Sequence, residues 1–172
     1  MAEDAEARRL ARLEKLTRTF MEHVPHNRAL GIELCSLGDG EAIMTLPYDP
    51  KLVGNPATGV LHGGAITSMM DACAGAAAFM SLPEPAPAAT LDLRIDYLKP
   101  ATPGKAVVAK ANCYKRTRNV AFVRCVAFHD DLDEPIAAGV GTFMLSIMVA
   151  TAGGQGQRPT GKGEPGAPEA TS

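Results

Sequence analysis

The 172-residue sequence predicts an α+β fold in which an apolar helix lies between segments of an antiparallel sheet. Ala65 to Met80 contains good helix formers, no proline and a single charged residue, Asp71. Apolar and polar residues alternate in the segments that follow, which is typical of strands. No strand–helix alternation comes after this helix, so a doubly wound parallel sheet is disfavoured.

An amphipathic helix is predicted at the start of the chain, within residues 1–25. Apolar residues recur at three- and four-residue steps from Asp4 to Val24, and Pro25 is expected to end the helix. Five acidic residues up to Glu22 balance five basic ones. We therefore expect this helix to pack on its own domain, near a subunit seam, rather than on a membrane.

Six strands are predicted in the main domain, residues 26–149. Two precede the apolar helix and four follow it: Gly31–Leu37, Glu41–Pro47, Ala89–Leu98, Lys105–Lys115, Val120–His129 and Pro135–Met148. The third alternates apolar odd-numbered positions with Asp92, Arg94 and Asp96. That alternation predicts one apolar and one charged face.

The last residues are predicted to form a disordered tail, residues 150–172. Thr151–Ser172 contains six Gly and three Pro but no Val, Ile, Leu, Met, Phe or Tyr. Such a segment has no apolar surface to offset the entropy lost on ordering.

Composition excludes several classes of protein. A net charge of −2 gives no electrostatic reason to expect nucleic acid as a partner. The chain lacks the residue order of a signal peptide, and its longest apolar stretch falls short of the ~20 residues that cross a bilayer. Four dispersed cysteines without a CxxC pair indicate small buried residues in a reducing, cytoplasmic protein without a zinc site.

The apolar helix is expected to be buried on nearly all sides. At about 3.6 residues per turn its small residues share one face with Asp71, so a cleft or a second backbone should lie there. The members of that face are Gly64, Thr67, Asp71, Ala74, Gly75 and Ala78. A lone carboxylate in this setting either caps a neighbouring loop, points to water or has a function.

A turn-rich loop from Asn55 to Gly64 leads into the helix. The exposed amides at the helix N-terminus can hold an oxygen that gains negative charge, and glycine lets a carbonyl approach closely. Asp71 is seven residues past Gly64, which is ~10 Å along the axis. These groups would meet one carbonyl more easily across a dimer interface than within one chain.

Two sequence motifs together resemble the hotdog-fold acyl-CoA thioesterases of the PaaI-like, phenylacetate-pathway type. The first is Gly59-Val-Leu-His62-Gly63-Gly64 with Asp71 nine residues past the histidine, and the second runs from Thr90 to Ala101 as TLDLRIDYLKPA. The resemblance covers about Leu30 to Met148. It implies an antiparallel sheet wrapped around one long helix, with homodimers or homotetramers that share a joint sheet.

The resemblance also implies a role for each matching residue. Asp71 would be the general base or nucleophile, and the Gly63 amide would polarise the thioester carbonyl beside Gly64. His62 would lie near the thioester and hold the loop. Asn55 would act in the partner subunit's site, although it stands seven rather than six places before the histidine. Thr90 would replace a serine that binds the attacking water.

Coenzyme A would be the partner of the site as part of substrate and product, with no cofactor or metal. Lys99, Lys115, Arg116 and Arg118 are candidate contacts for its phosphates, or simply solvated turn residues. Two other functions stay open: a non-catalytic acyl-thioester binding module and a hotdog-type hydratase or dehydratase. The hydratase is disfavoured because no Asp is followed five residues later by His.

Overall fold

A computed structural model describes residues 24–82 and 88–145 of the chain. The predicted N-terminal helix, up to residue 23, and the predicted tail lie outside these ranges. So do the last residues of the predicted strand Pro135–Met148. The helices and strands are, in chain order, α1 Pro25–Leu30, β1 Glu33–Leu37, β2 Glu41–Leu46, β3 Val53–Asn55, β4 Val60–Leu61, α2 Gly63–Met80, β5 Ala88–Tyr97, β6 Val107–Arg116, β7 Val120–Phe128 and β8 Ala137–Leu145.

Six of the described strands form one sheet with the order β1-β2-β6-β7-β8-β5. Each neighbouring pair is antiparallel. The sheet wraps around α2, which contacts all six strands. The prediction of an antiparallel sheet around one long helix is confirmed, with two strands of that sheet before the helix and four after it.

The core lies between α2 and the concave face of the sheet. Met69, Met70 and Cys73 of the helix are fully buried. Opposite them, the inner face of β6 and β7 consists largely of alanine, and every second residue there is buried. Small side chains there let the helix approach closely, and the larger buried side chains include Met69 and Met70 of the helix, Met44 and Leu46 of β2, and Phe143 of β8.

α2 is buried on most of its sides, as predicted. The small face predicted around Asp71 is open only in part. Asp71 and Gly75 are half-buried and belong to a stripe that also includes Ser68 and Phe79, whereas Ala74 and Ala78 are buried. Periodicity does not separate these positions, because nearly every residue of this helix is small and apolar.

Three local elements were not predicted, one of them the 3-10 turn Pro50–Leu52. Pro25, expected to end a helix whose residues lie outside the described ranges, begins the short helix α1, since proline is well tolerated in the first turn. Gly31 ends α1 in the left-handed conformation, with φ of 71°. The third element is the β3–β4 hairpin, which forms within the loop before α2.

The four cysteines are free thiols that differ in exposure, with Cys113 half-buried. Cys73 and Cys125 are buried, as predicted, and the Cys73 thiol donates to the carbonyls of Ala42 and Ala109. Cys35 is exposed, contrary to the prediction, because it lies on edge strand β1. Within the described ranges no helix is long and apolar enough to cross a membrane. Cytoplasmic location stays a prediction.

Candidate active site

A cavity of about 410 Å³ opens beside the half-buried stripe of α2. One end is polar and includes Asp71, Thr90, Ser68 and His26. The rest of the wall is mainly apolar and is formed by the buried Asn27 together with Val24, Ala72, Gly75, Phe79, Ala88 and Phe143. An apolar chamber with a few converging polar groups at one end is the usual form of a small-molecule site.

Asp71 receives a hydrogen bond from Thr90 at the polar end of this cavity. The Thr90 hydroxyl donates to Asp71 Oδ1 at 2.9 Å. Among residues 24–82 and 88–145, no other side chain or amide donates a hydrogen bond to the Asp71 carboxylate. Its second oxygen, Oδ2, is therefore left open to the cavity. The structure thus brings together two of the predicted site residues.

A β-bulge in β5 directs Thr90 toward the helix. Thr90 pairs with the buried Phe143, whereas Asp92 pairs with Thr142, so the register shifts at Leu91. After the bulge the odd-numbered residues Leu93 and Tyr97 face the core side of the sheet. Regular alternation would place Thr90 on the outer face with Asp92. The extra residue reverses its side and makes the contact with Asp71 possible.

Ser68 and His26 also lie at the polar end. The Ser68 hydroxyl donates to the Gly64 carbonyl at 2.9 Å and contacts His26 Nε2 at 3.2 Å. Ser68 precedes Asp71 by three residues on the same face of α2. Sequence reasoning missed both residues. Helical spacing from Asp71 could have identified Ser68, but His26 comes from α1, far away in the chain.

The N-terminus of α2 holds the second group of predicted residues. His62 is the N-cap, and its Nδ1 accepts a hydrogen bond of 2.9 Å from the Gly64 amide. That amide is therefore occupied. Within the described part of the chain the Gly63 amide has no such partner, so it remains available to a ligand.

Tyr97 is a further residue near Gly63 that the sequence did not single out. Its hydroxyl donates to the Gly63 carbonyl and lies 2.8 Å from the Thr67 hydroxyl. A Cβ on Gly63 would stand 3.2 Å from the Tyr97 ring, so glycine permits this close packing. The contact fixes the first turn of α2 against the end of β5.

A second cavity, of about 360 Å³, lies at this end of the helix. It is bordered by Gly63, Tyr97 and Lys99, with apolar residues between them. Lys99 forms an ion pair with Glu134 at 2.7 Å, and its side chain is 41% exposed. Asp71 borders the first cavity and Gly63 borders the second, so one protomer does not bring them to a common cavity.

Asn55 lies at the tip of the β3–β4 hairpin. Its side-chain oxygen accepts from the Ala57 amide at 3.0 Å, and its carbonyl accepts from the amides of Thr58 and Gly59. The side-chain NH₂ group makes no hydrogen bond to the described residues. Asn55 thus organises the turn with one half of its amide and exposes the other half.

The predicted cationic residues lie at opposite ends of the sheet. Lys99 follows the end of β5 at Tyr97, which pairs with Ala137. Arg116, the last residue of β6, and Arg118, in the β6–β7 turn, are both exposed and lie near Leu145 at the other end of β8. Eight residue steps along a strand separate these ends by roughly 25 Å. A single protomer therefore does not gather them.

Comparison with known proteins adds to this geometry. The family model described as "Thioesterase superfamily" matches residues 58–136. The medium/long-chain acyl-CoA thioesterase YigI of Escherichia coli is 32% identical over 139 residues, which are 73% of this chain and 88% of YigI. A Pseudomonas aeruginosa protein of known crystal structure is 43% identical, with a TM-score of 0.68 over 74% of this chain and 95% of that one.

A further solved structure is similar in fold. The Escherichia coli PaaI protein from the phenylacetic acid degradation operon has a TM-score of 0.65 over 73% of this chain and 86% of its own. At 21% identity this likeness bears on the fold alone.

Proposed function

This chain belongs to the thioesterase superfamily and is a hotdog-fold thioester hydrolase, and we propose that it hydrolyses acyl-CoA thioesters to a free acid and coenzyme A. The observation that carries the proposal is the Asp71–Thr90 pair at the polar end of an otherwise apolar cavity. A carboxylate there can take a proton from water, while the apolar walls accommodate an acyl group.

In the proposed reaction water is the nucleophile. The water oxygen bonds to the thioester carbon while Asp71 takes one of its protons, giving a tetrahedral oxyanion. The intermediate then collapses, the C–S bond breaks, and the proton passes to the departing thiolate. Because a thiolate leaves readily, the reaction requires no metal ion. General-base help is typically worth 10²- to 10⁴-fold in rate.

The oxyanion is proposed to bind the unoccupied Gly63 amide at the positive end of the α2 dipole. One such donor typically stabilises the transition state by ~3 kcal/mol. Gly63 and Asp71 are eight residues apart on the helix, which is ~12 Å along its axis. One carbonyl cannot contact both within a protomer, so the site requires a second subunit.

A homodimer joined through β5 supplies the missing half. β5 is an edge strand of the sheet, so its outer hydrogen-bonding groups are open for another strand. Thr90 lies near the start of β5, and Tyr97, which contacts Gly63, lies at its end. Antiparallel pairing about a twofold axis places the start of one β5 beside the end of the other. Asp71 then faces the partner subunit's Gly63.

The same twofold symmetry brings the candidate coenzyme A contacts of the two subunits closer together. Lys99 is at one end of the sheet and Arg116 and Arg118 are at the other, so the twofold axis brings Lys99 of one subunit toward the arginine-bearing end of the second. Phosphates of coenzyme A are proposed to bind there, since cationic side chains are their usual partners. His62 is proposed to shape the Gly63 loop, while the free half of the Asn55 amide faces the shared site.

The acyl group is proposed to be an aliphatic chain of medium length or longer. Between Asp71 and Phe79 the apolar wall runs for about 12 Å along α2. The relative YigI is named for medium- and long-chain acyl-CoA. A chain extending from the thioester at Asp71 toward Phe79 would bury its apolar surface along this wall.

A substrate screen with free-thiol detection tests the proposal. The purified chain is assayed with short, medium, long and aryl acyl-CoAs, and Cys35→Ser removes the exposed thiol that would add background. We expect the wild-type chain to hydrolyse medium or long acyl-CoAs and the Asp71→Asn variant to lose this activity. Binding of acyl-CoA without turnover of any substrate would instead identify a binding module and overturn the proposal.

A further inference from the structure

The proposed reaction leaves two residues of the polar end without a role. Ser68 and His26 border the same cavity as Asp71 and Thr90 and contact each other at 3.2 Å. They come from different elements, α2 and α1, so their contact depends on the packing of these two helices.

The hydrogen-bond roles in this pair follow from counting protons. Ser68 has one hydroxyl proton, which it donates to the Gly64 carbonyl at 2.9 Å. The contact with His26 therefore requires Nε2–H of the imidazole to donate to Ser68 Oγ. A hydroxyl oxygen has two lone pairs, and His26 uses one of them. The other lone pair is available to accept a hydrogen bond.

This arrangement makes Ser68 an acceptor and excludes it as an activated nucleophile. A nucleophilic serine donates its proton to a neighbouring base. Here the proton goes to a backbone carbonyl, and the histidine is itself a donor. What Ser68 offers the cavity is an oriented oxygen lone pair.

Ser68 and Asp71 are close enough on α2 for one water molecule to bridge the Ser68 hydroxyl and the open oxygen of Asp71. Residues three apart on a helix have Cβ atoms about 5–6 Å from each other, a gap that one water molecule can bridge. Thr90 occupies Oδ1 of Asp71, which leaves Oδ2 to face the cavity. A water that donates one proton to Oδ2 and the other to Ser68 Oγ directs a lone pair at the substrate.

We propose that Ser68 is a further catalytic residue, which orients the nucleophilic water together with Asp71, and that His26 is a positioning residue that holds the Ser68 hydroxyl. The inference rests on the proposed hydrolysis and deepens it. During attack the proton bound toward Asp71 moves to that carboxylate, and the proton bound toward Ser68 stays on the oxygen that joins the acyl carbon.

The experiment compares matched substitutions of both residues in the full chain. Ser68→Ala removes the acceptor and His26→Ala removes its support, whereas His26→Gln retains an N–H donor. Arg28→Ala, an exposed change on α1 that does not line the cavity, is the control. We expect kcat to fall about tenfold for Ser68→Ala and several-fold for His26→Ala, with KM within about twofold. His26→Gln should recover most of the lost kcat.

Double variants separate this role from a structural one. In an Asp71→Asn background, Ser68→Ala should cause little further loss, because both residues act on the same water. The inference about Ser68 would be overturned, with the proposed hydrolysis left intact, by a folded Ser68→Ala variant with wild-type kcat. It would also be overturned if Ser68→Ala lowered kcat by the same factor in the Asp71→Asn background as in the wild type. Should Ser68→Ala not fold, failure of His26→Gln to exceed His26→Ala in kcat would overturn it. A wild type inactive on every acyl-CoA would instead remove the proposed function.

Discussion

Thr90 donates a 2.9 Å hydrogen bond to Asp71 from a strand that reaches the helix carboxylate only because β5 contains a bulge. The bond joins the edge strand to the open face of α2. It fixes the orientation of one carboxylate oxygen and leaves the other toward the cavity.

Asp71→Asn should abolish most turnover while the fold survives. Asparagine keeps the size of the side chain but cannot take a proton from water, so we expect kcat to fall by ~10² or more and KM to change less. Steady-state kinetics with an acyl-CoA and a thermal melt measure the two effects. The control is Asp39→Asn, an exposed carboxylate in the β1–β2 turn. A folded Asp71→Asn enzyme with wild-type kcat would contradict the mechanism.

Thr90→Val should lower kcat by about tenfold because it removes the hydroxyl that orients Asp71. Thr90→Ser keeps that hydroxyl and should retain most activity. Thr142→Val, beyond the bulge on neighbouring strand β8, provides a matched control. Equal activity of the Val and Ser variants at position 90 would show that the hydrogen bond has no part in catalysis.

Mixed oligomers should recover activity if each site uses both subunits. We expect Asp71→Asn and Asn55→Ala to be impaired separately, with the smaller loss in Asn55→Ala. Unfolding and refolding them together gives mixed dimers with one intact site, about a quarter of all sites at equal mixing. Activity and sedimentation are measured on the same sample. An active monomer at assay concentration would rule out the shared site.

Gly75→Ala should shift preference toward shorter acyl chains. The new Cβ would lie 3.6 Å from Phe143, an ordinary contact, so the fold should tolerate it and α2 should gain up to ~1 kcal/mol. The methyl group narrows the apolar end of the cavity, and kcat/KM should fall most for the longest chains accepted. Gly38→Ala, remote from the cavity, is the control. Uniform loss over all chain lengths would place the acyl group elsewhere.

Thiol reagents should modify Cys35 quickly and leave Cys73 and Cys125 unmodified until the protein unfolds. The hydrogen bond with Cys73, together with burial, raises the pKa of the Cys125 thiol well above its usual value, so little reactive thiolate forms. Labelling followed by peptide mass spectrometry, with and without denaturant, measures the difference. Fast native-state labelling of Cys125 would show that the core opens readily.

Several features of the fold could be predicted from local patterns. The central helix, with its single charged residue, and the alternating strands each show a clear hydrophobic pattern. Because no strand–helix alternation follows the helix, their order predicts an antiparallel sheet. The unpaired amide of Gly63 follows from the position of the Gly-Gly pair at the start of α2. The motif around them was specific enough to indicate the family.

Other features were beyond local patterns. Periodicity placed Ala74 and Ala78 on the same face as Asp71, but both are buried, because the alanines and glycines of α2 differ too little in size to identify the buried side. Thr90 belonged to the charged face of its strand by simple alternation, and only the bulge turns it inward. His26 had no sequence signal because its partner Ser68 is 42 residues away.

The sequence by itself determined the class of fold, the central helix with Asp71, and the glycine-rich turn at its start, since each depends on neighbours in the chain. Only the tertiary structure decided which side chains meet Asp71, because those contacts join α1, α2 and β5 through packing and strand register. It also placed Gly63 and Asp71 on different cavities of one protomer. The separation along the helix follows from its rise per residue, which parts two groups that the proposed reaction needs at one carbonyl.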